Sequence, residues 1–330
     1  MTFQIGFTAL LILIVLVAAG LVAFTYSTAR RVVATVGPLG RFIGVGGLKL
    51  HVHEQGTGPT LLLIHGLGGQ MRHFTYGVVE RLAPHFRVVT VDRPGSGYSL
   101  RSAQTPADLS TQAAAIAGLI EQMQLGPVLV VGHSLGGATA LTLALEHPGC
   151  VTGLALVAPL THLPGDGAPP AAFRALLITS AWRRALFAWT LATPGSIAAS
   201  RAVLGQIFGP DTVPNDFAIR GGGLLSLRPS QFIAASRDLQ ALQAHMPALA
   251  ARYGELRIPI RVLFGRSDRI LDWTLNGQGL IDKVVGAELT LVDGGHMLPV
   301  TMPELTADFI HATANLVHGT TLQTGQNQHG

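Results

Sequence analysis

The chain has 330 residues, of which 48% are hydrophobic and only 12% are charged, with a formal net charge of +4. That is too apolar for a disordered chain and suits a packed core beside something greasier. The cationic residues are scattered and, apart from Lys49 and Lys283, all arginines; no basic run is interleaved with aromatics, which argues against nucleic acid as a partner. The single cysteine, Cys150, excludes an intramolecular disulfide and any multi-cysteine metal site.

Residues 5–26 carry no charge and are dominated by Leu, Ile, Val, Ala and Phe. That is about the 20 residues a helix needs to cross a hydrocarbon core, so a transmembrane helix is expected over 5–26, with the membrane as a partner. A cleaved signal peptide, which would make the protein secreted or periplasmic, is the competing reading because Ser27-Thr28-Ala29 supplies small residues. Against it, the apolar run exceeds the roughly 7–15 residues of a signal core, and no Lys or Arg precedes it. Arg30 and Arg31 follow directly and would hold the remainder of a single-pass protein on the cytoplasmic side. Residues 27–40 read as a linker closed by Gly37-Pro38.

Residues 41–45 and 48–54 read as two strands around Gly46-Gly47. His51 and His53 share a face there, at a spacing a metal pair could use, but they read as a solvated strand face. Short apolar runs follow at 61–64, 87–91, 128–131, 154–157, 260–264 and 288–292, of the kind buried on both faces in a parallel sheet. Helical patterns lie between them at 74–82, 111–123, 138–146, 274–284 and 303–313. This alternation predicts an α/β fold, a mostly parallel sheet flanked by helices, with ligands beyond the carboxyl ends of the strands. The rhythm stops over 160–256, a stretch rich in Ala, Leu and Arg with Trp182 and Trp189, expected to be a helical cap. The core then comprises 41–159 and 257–315, and a polar, Gly- and Gln-rich tail over 316–330 is expected to be disordered.

The strongest chemical signal is Gly132-His133-Ser134-Leu135-Gly136-Gly137, a G-x-S-x-G pattern after a strand and before a helix. Ser134 would occupy a strained turn that projects its hydroxyl, and neighbours larger than Gly132 and Gly136 would collide with adjoining backbone. A serine hydroxyl needs a base. His296, in Asp293-Gly294-Gly295-His296 after the last strand, is the candidate. The group that would hold the imidazole is Asp268, in the loop beyond the preceding strand, with Asp272 as nearest competitor and Asp293 too close to His296 along the chain. Backbone donors for an oxyanion are expected at Leu135 and at Leu67, the latter within His65-Gly66-Leu67-Gly68-Gly69.

Together these segments, with Asp92-Arg93-Pro94-Gly95-Ser96-Gly97-Tyr98-Ser99, resemble the α/β-hydrolase superfamily over roughly residues 41–315. The resemblance implies a serine hydrolase with the triad Ser134, Asp268 and His296, no cofactor and no metal, and a shaping role for the 92–99 loop at the site mouth. Ser134 argues against the epoxide hydrolases and dehalogenases of this fold, which use aspartate there. His133 departs from the asparagine usual in carbon–carbon bond hydrolases, so the expectation is cleavage of a small apolar carboxylic ester. Carbon–carbon cleavage, perhydrolysis or a non-catalytic ligand-binding role are the alternatives.

Overall fold

The computed structural model describes residues 2–165 and 168–326. Helix α1 (Thr2–Thr35) opens the chain, and its stretch Phe3–Thr35 is long and apolar enough to cross a membrane. It runs on through 27–35, where a linker was expected. Nothing in Ser-Thr-Ala-Arg-Arg-Val-Val-Ala-Thr breaks a helix, and the stop comes at Gly37-Pro38, since a residue before proline is pushed out of the α region.

Eight strands form one sheet: β1 (Arg41–Val45), β2 (Leu48–Gln55), β3 (Thr60–Ile64), β4 (Arg87–Val91), β5 (Val128–His133), β6 (Val151–Val157), β7 (Ile260–Gly265) and β8 (Glu288–Val292). Their spatial order is β1-β2-β4-β3-β5-β6-β7-β8. β1 and β2 pair antiparallel and β2 meets β4 antiparallel, while β4 through β8 run parallel. The longer helices after α1 are α2 (Leu109–Gln122), α3 (Leu135–Glu146), α4 (Ala181–Phe187), α5 (Thr193–Phe208), α6 (Pro229–Ala251) and α7 (Pro303–Gln326).

Strand periodicity decides which core each residue joins. Val128 and Val130 of β5 face the cluster built with Ile116, Leu119 and Leu141 of α2 and α3. Leu129 and Val131 face the opposite cluster, with Phe74, Ile310 and Ala314. Both faces are covered, so β5 is buried at all six residues. His51, expected on a solvated face, is buried instead: its Nδ1 lies 2.7 Å from Asp92 Oδ2 and its Nε2 meets the Leu39 carbonyl.

Three helix predictions need revision. The 74–82 helix is split into Arg72–Thr75 and Val78–Leu82 by Gly77, whose φ −171° and ψ −17° leave the helical region and which packs so close to Pro303 that a Cβ would lie 2.9 Å from the ring. The 274–284 helix is a π turn, Thr274–Gln278, followed by Gly279–Ile281. Helix α7 continues to Gln326, so the tail expected to be disordered from 316 is helical over 316–326. The rest of that tail, 327–330, lies outside the described residues.

Between β6 and β7 the chain leaves the sheet for an insertion that holds α4, α5 and α6 and, among the described residues, no strand. We refer to it as the cap. Its tightest link to the sheet is electrostatic. Asp238 of α6 accepts from Arg93 Nη1 at 2.9 Å and from Arg101 Nη1 at 2.7 Å, with the carboxylate and Arg93 both sealed from solvent. Removing one member of a buried pair strands the others without water. Asp238→Ala should therefore lower stability by about 3–5 kcal/mol in urea unfolding of the detergent-solubilised chain; a loss below about 1 kcal/mol, as from an exposed pair, would contradict this role.

Candidate active site

Ser134 stands between β5 and α3 with φ 54° and ψ −122°, a conformation that side-chain-bearing residues rarely adopt. The surroundings leave it little choice. Its N–H donates to the Val157 carbonyl at 3.1 Å, and its own carbonyl accepts from Gly137 and Leu160 at 2.8 and 2.9 Å. A Cβ at Gly132 would lie 2.7 Å from the Gly136 oxygen, and one at Gly136 would overlap the Ile64 carbonyl. Both glycines are steric requirements of the turn. Helix α3 begins at Leu135, so its first N–H groups have no partner within the helix and its positive dipole end lies at Ser134.

The loops after β7 and β8 are zipped together by backbone. Arg266 N–H donates to Val292 O at 2.8 Å and Ser267 N–H to Gly294 O at 3.1 Å, an approach that a Cβ at Gly265 would block. This brings Asp268 and His296 together: His296 Nδ1 lies 2.7 Å from Asp268 Oδ2, with both side chains buried. The other carboxylate oxygen accepts from the N–H groups of Ile270 and Leu271 at 2.7 and 3.0 Å. Because a carboxylate only accepts, His296 donates to it through Nδ1–H, which turns Nε2 to the other side of the ring. Asp272 instead binds Thr274 N–H at 2.7 Å, and the Asp293 side chain is fully exposed.

His296 is tied to the serine turn through the residue beside Ser134. His133 Nε2 donates to the His296 carbonyl at 3.0 Å, and the two rings are 5.0 Å apart. From the cap, Asp211 accepts from Gly295 N–H at 3.0 Å and from the Thr301 hydroxyl at 3.1 Å, fixing the histidine loop on its outer side.

The loop after β3 approaches Ser134 at Gly66, where a Cβ would lie 2.8 Å from the serine Cβ and 3.3 Å from its Oγ. Arg93 sets the attitude of this loop. Its Nε donates to His65 O and its Nη2 to Gly66 O, each at 3.0 Å, and its backbone N–H donates to His65 Nε2 at 2.9 Å. With the Gly66 carbonyl turned to Arg93, the Leu67 N–H on the same trans peptide points the opposite way.

Three histidines surround the site as neutral groups. Burial, aided by the Arg93 charge, holds His65 well below its ordinary value. Burial and then His296 do the same for His133, and burial lowers His73 to about 4. His65 and Arg93 stand inside quoted motifs, so their position was signalled although their role was not. Asp211 and Asp238 sit in the cap without a motif, and nothing local marks them.

A model of the alpha/beta hydrolase family matches residues 61–309. Over 113 residues the chain is 34% identical to 2-(acetamidomethylene)succinate hydrolase of Mesorhizobium japonicum, covering 34% of this chain and 40% of that protein. Over 121 residues it is 31% identical to 2-hydroxy-6-oxo-2,4-heptadienoate hydrolase of Pseudomonas putida, covering 36% and 44%. The matched stretch thus spans less than half the length of these relatives. Among solved structures, a membrane phospholipase A described as a bacterial virulence factor is similar in fold, with TM-score 0.66 at 24% identity over 96% of this chain and 99% of that one.

The neutral histidines make stability depend on pH with a definite sign. Unfolding lets each return to its ordinary value near 6.5, so between that and the folded value the unfolded chain binds more protons. Their contribution is intact above about pH 6.5 and shrinks as pH falls; for His73 the window closes at about 4. His73→Asn should flatten the dependence of unfolding free energy on pH over that window by about 1.4 kcal/mol per pH unit; an unchanged slope would show that His73 folds protonated.

Proposed function

The chain belongs to the alpha/beta hydrolase family, and on that premise we propose that it is a membrane-held serine hydrolase that cleaves carboxylic esters through an acyl-enzyme. The observation that carries the reading is the Asp268–His296 hydrogen bond of 2.7 Å, tied by His133 to a serine in a strained turn.

In the first half-reaction Ser134 Oγ attacks the ester carbonyl carbon and gives its proton to His296 Nε2. Asp268 holds the Nδ1 proton and stabilises the imidazolium as it forms. Negative charge gathers on the carbonyl oxygen, where the Leu67 and Leu135 N–H groups stabilise it; one such donor is typically worth about 10²–10³ in rate. The intermediate collapses, the carbon–oxygen bond breaks, and the imidazolium protonates the leaving alcohol. Water then enters, gives a proton to His296 and attacks the acyl carbon, and Ser134 leaves with that proton. No cofactor or metal takes part in these steps.

The substrate proposed is a small ester with an apolar acyl group, in keeping with a cap rich in Trp, Leu and Phe. Helix α1 acts as a single-pass anchor rather than a cleaved signal, and Arg30 and Arg31 retain the catalytic domain on the cytoplasmic side. A second reading, carbon–carbon bond cleavage by the same three residues, draws on the likeness to the heptadienoate hydrolase; His133 in place of asparagine weighs against it.

Ser134→Ala should cut hydrolysis of p-nitrophenyl butyrate by about 10⁴-fold or more and abolish labelling by a fluorophosphonate, and Asp268→Asn should cost about 10⁴ in kcat with the fold intact. Parent-rate ester cleavage by the alanine variant would end the reading. Turnover of a vinylogous diketone in preference to every ester in a panel would move it to carbon–carbon bonds, and a folded parent chain that takes no label would point to a binding role.

A further inference from the structure

Helix α1 does not stand clear of the protein along its whole length. Residues 3–17 are exposed throughout, but Ala18, Leu21, Thr25, Val32 and Val36, spaced along one side, are half-buried or buried. The elements it packs against are the π turn Ala188–Ala192, α5 and the turn Gly223–Leu227, which all belong to the cap. Val32 and Val36 close one cluster with Leu225, and the Tyr98 hydroxyl donates to the Val36 carbonyl.

The length of the free segment is decisive. A hydrocarbon core about 30 Å thick takes about 20 helical residues, whereas residues 3–17 rise only about 22 Å. A helix crossing the core must therefore also use residues from Ala18 onward, before the first charge at Arg30. Those are the residues that lie beside the cap, so the adjoining edge of the cap is drawn down to the depth of the headgroups and upper acyl chains.

The cap surface next to them has the chemistry of that zone. Trp182, Leu186 and Trp189 are exposed one and two turns apart, with Trp182 at 65% exposure, and Leu191 is exposed as well. Trp189 sits in an open groove of about 430 Å³ with Tyr26, Arg30 and Val33 of α1, which makes the stripe continuous with the helix. The Arg183 guanidinium lies 5.4 Å from the Trp182 ring centre. Tryptophan with arginine beside apolar side chains is the composition found where a protein meets lipid headgroups.

We propose that Trp182, Leu186, Trp189 and Leu191 form a second membrane contact, seated in the headgroup and upper acyl region of the bilayer that α1 crosses. The proposal rests on α1 as a spanning helix and is independent of the ester chemistry. With two contacts on one bilayer, the cap is held against the lipid surface and its orientation is set.

The chain's three tryptophans, Trp182, Trp189 and Trp273, provide the test. The full chain is reconstituted in phosphatidylcholine–phosphatidylglycerol vesicles whose lipids are brominated high on the acyl chain. In Trp273→Phe chains that keep Trp182 or Trp189 as sole tryptophan, with the other also changed to Phe, emission should fall by about half relative to unbrominated vesicles. The unsubstituted chain should lose emission in the same vesicles, which keeps the test independent of how the variants fold. A chain that stays with the vesicles through carbonate extraction but shows no quenching of Trp182 or Trp189 overturns this proposal alone, as it would if a partner protein covered the stripe. A chain released by carbonate overturns the spanning helix and this proposal together, whatever its fluorophosphonate labelling shows.

Discussion

A guanidinium sealed from water binds together the carboxyl edge of the sheet. Burying such a charge is unfavourable by several kcal/mol unless its donors are matched. Arg93 meets the condition with the carbonyls of His65 and Gly66, the Gln112 side chain and the Asp238 carboxylate. Those partners come from the loop after β3, from α2 and from the cap. The negative charge that balances Arg93 therefore arrives from a segment 145 residues further along the chain. The loop that carries the Leu67 N–H is held by a group that is itself completed by the cap.

Around that centre, glycine governs how close one backbone can come to another. Gly66 admits Ser134, Gly132 and Gly136 admit the serine turn, and Gly265 lets the Asp268 and His296 loops lie flat on one another. None of these contacts is strong. Their effect is geometric: each brings a strand end within reach of its neighbour, so that Asp268 and His296 meet and the serine turn lies beside the His296 carbonyl through His133. The unfavourable backbone angles at Ser134 are held by hydrogen bonds from the turn to Val157, Gly137 and Leu160.

Much of this was legible in the residues. The β-branched and leucine runs marked β3 to β7, since a strand buried on both faces has no polar side to obscure the signal. The pairing of Asp268 with His296 was anticipated from their places after consecutive strands. What escaped was information carried by distant partners. His51 reads as polar and exposed until Asp92 and Leu39 close over it. Gly77, where the helix is split, lies against Pro303, far away in sequence. Asp211 and Asp238 belong to a stretch with no strand rhythm, and only the folded chain shows that they face Gly295 and Arg93.

The placement of the cap between two paired strands also bears on how the molecule can be made. β6 and β7 are neighbours in the sheet, Leu154 beside Ile260 and Val157 beside Leu263, yet a hundred residues separate them in the chain. During synthesis β6 emerges with one edge unpaired and largely apolar side chains, and must wait until the whole insertion has left the ribosome. Such edges recruit stray strands. At about 5–20 residues per second the wait lasts on the order of ten seconds, an interval in which that edge stays open to mispairing with other chains.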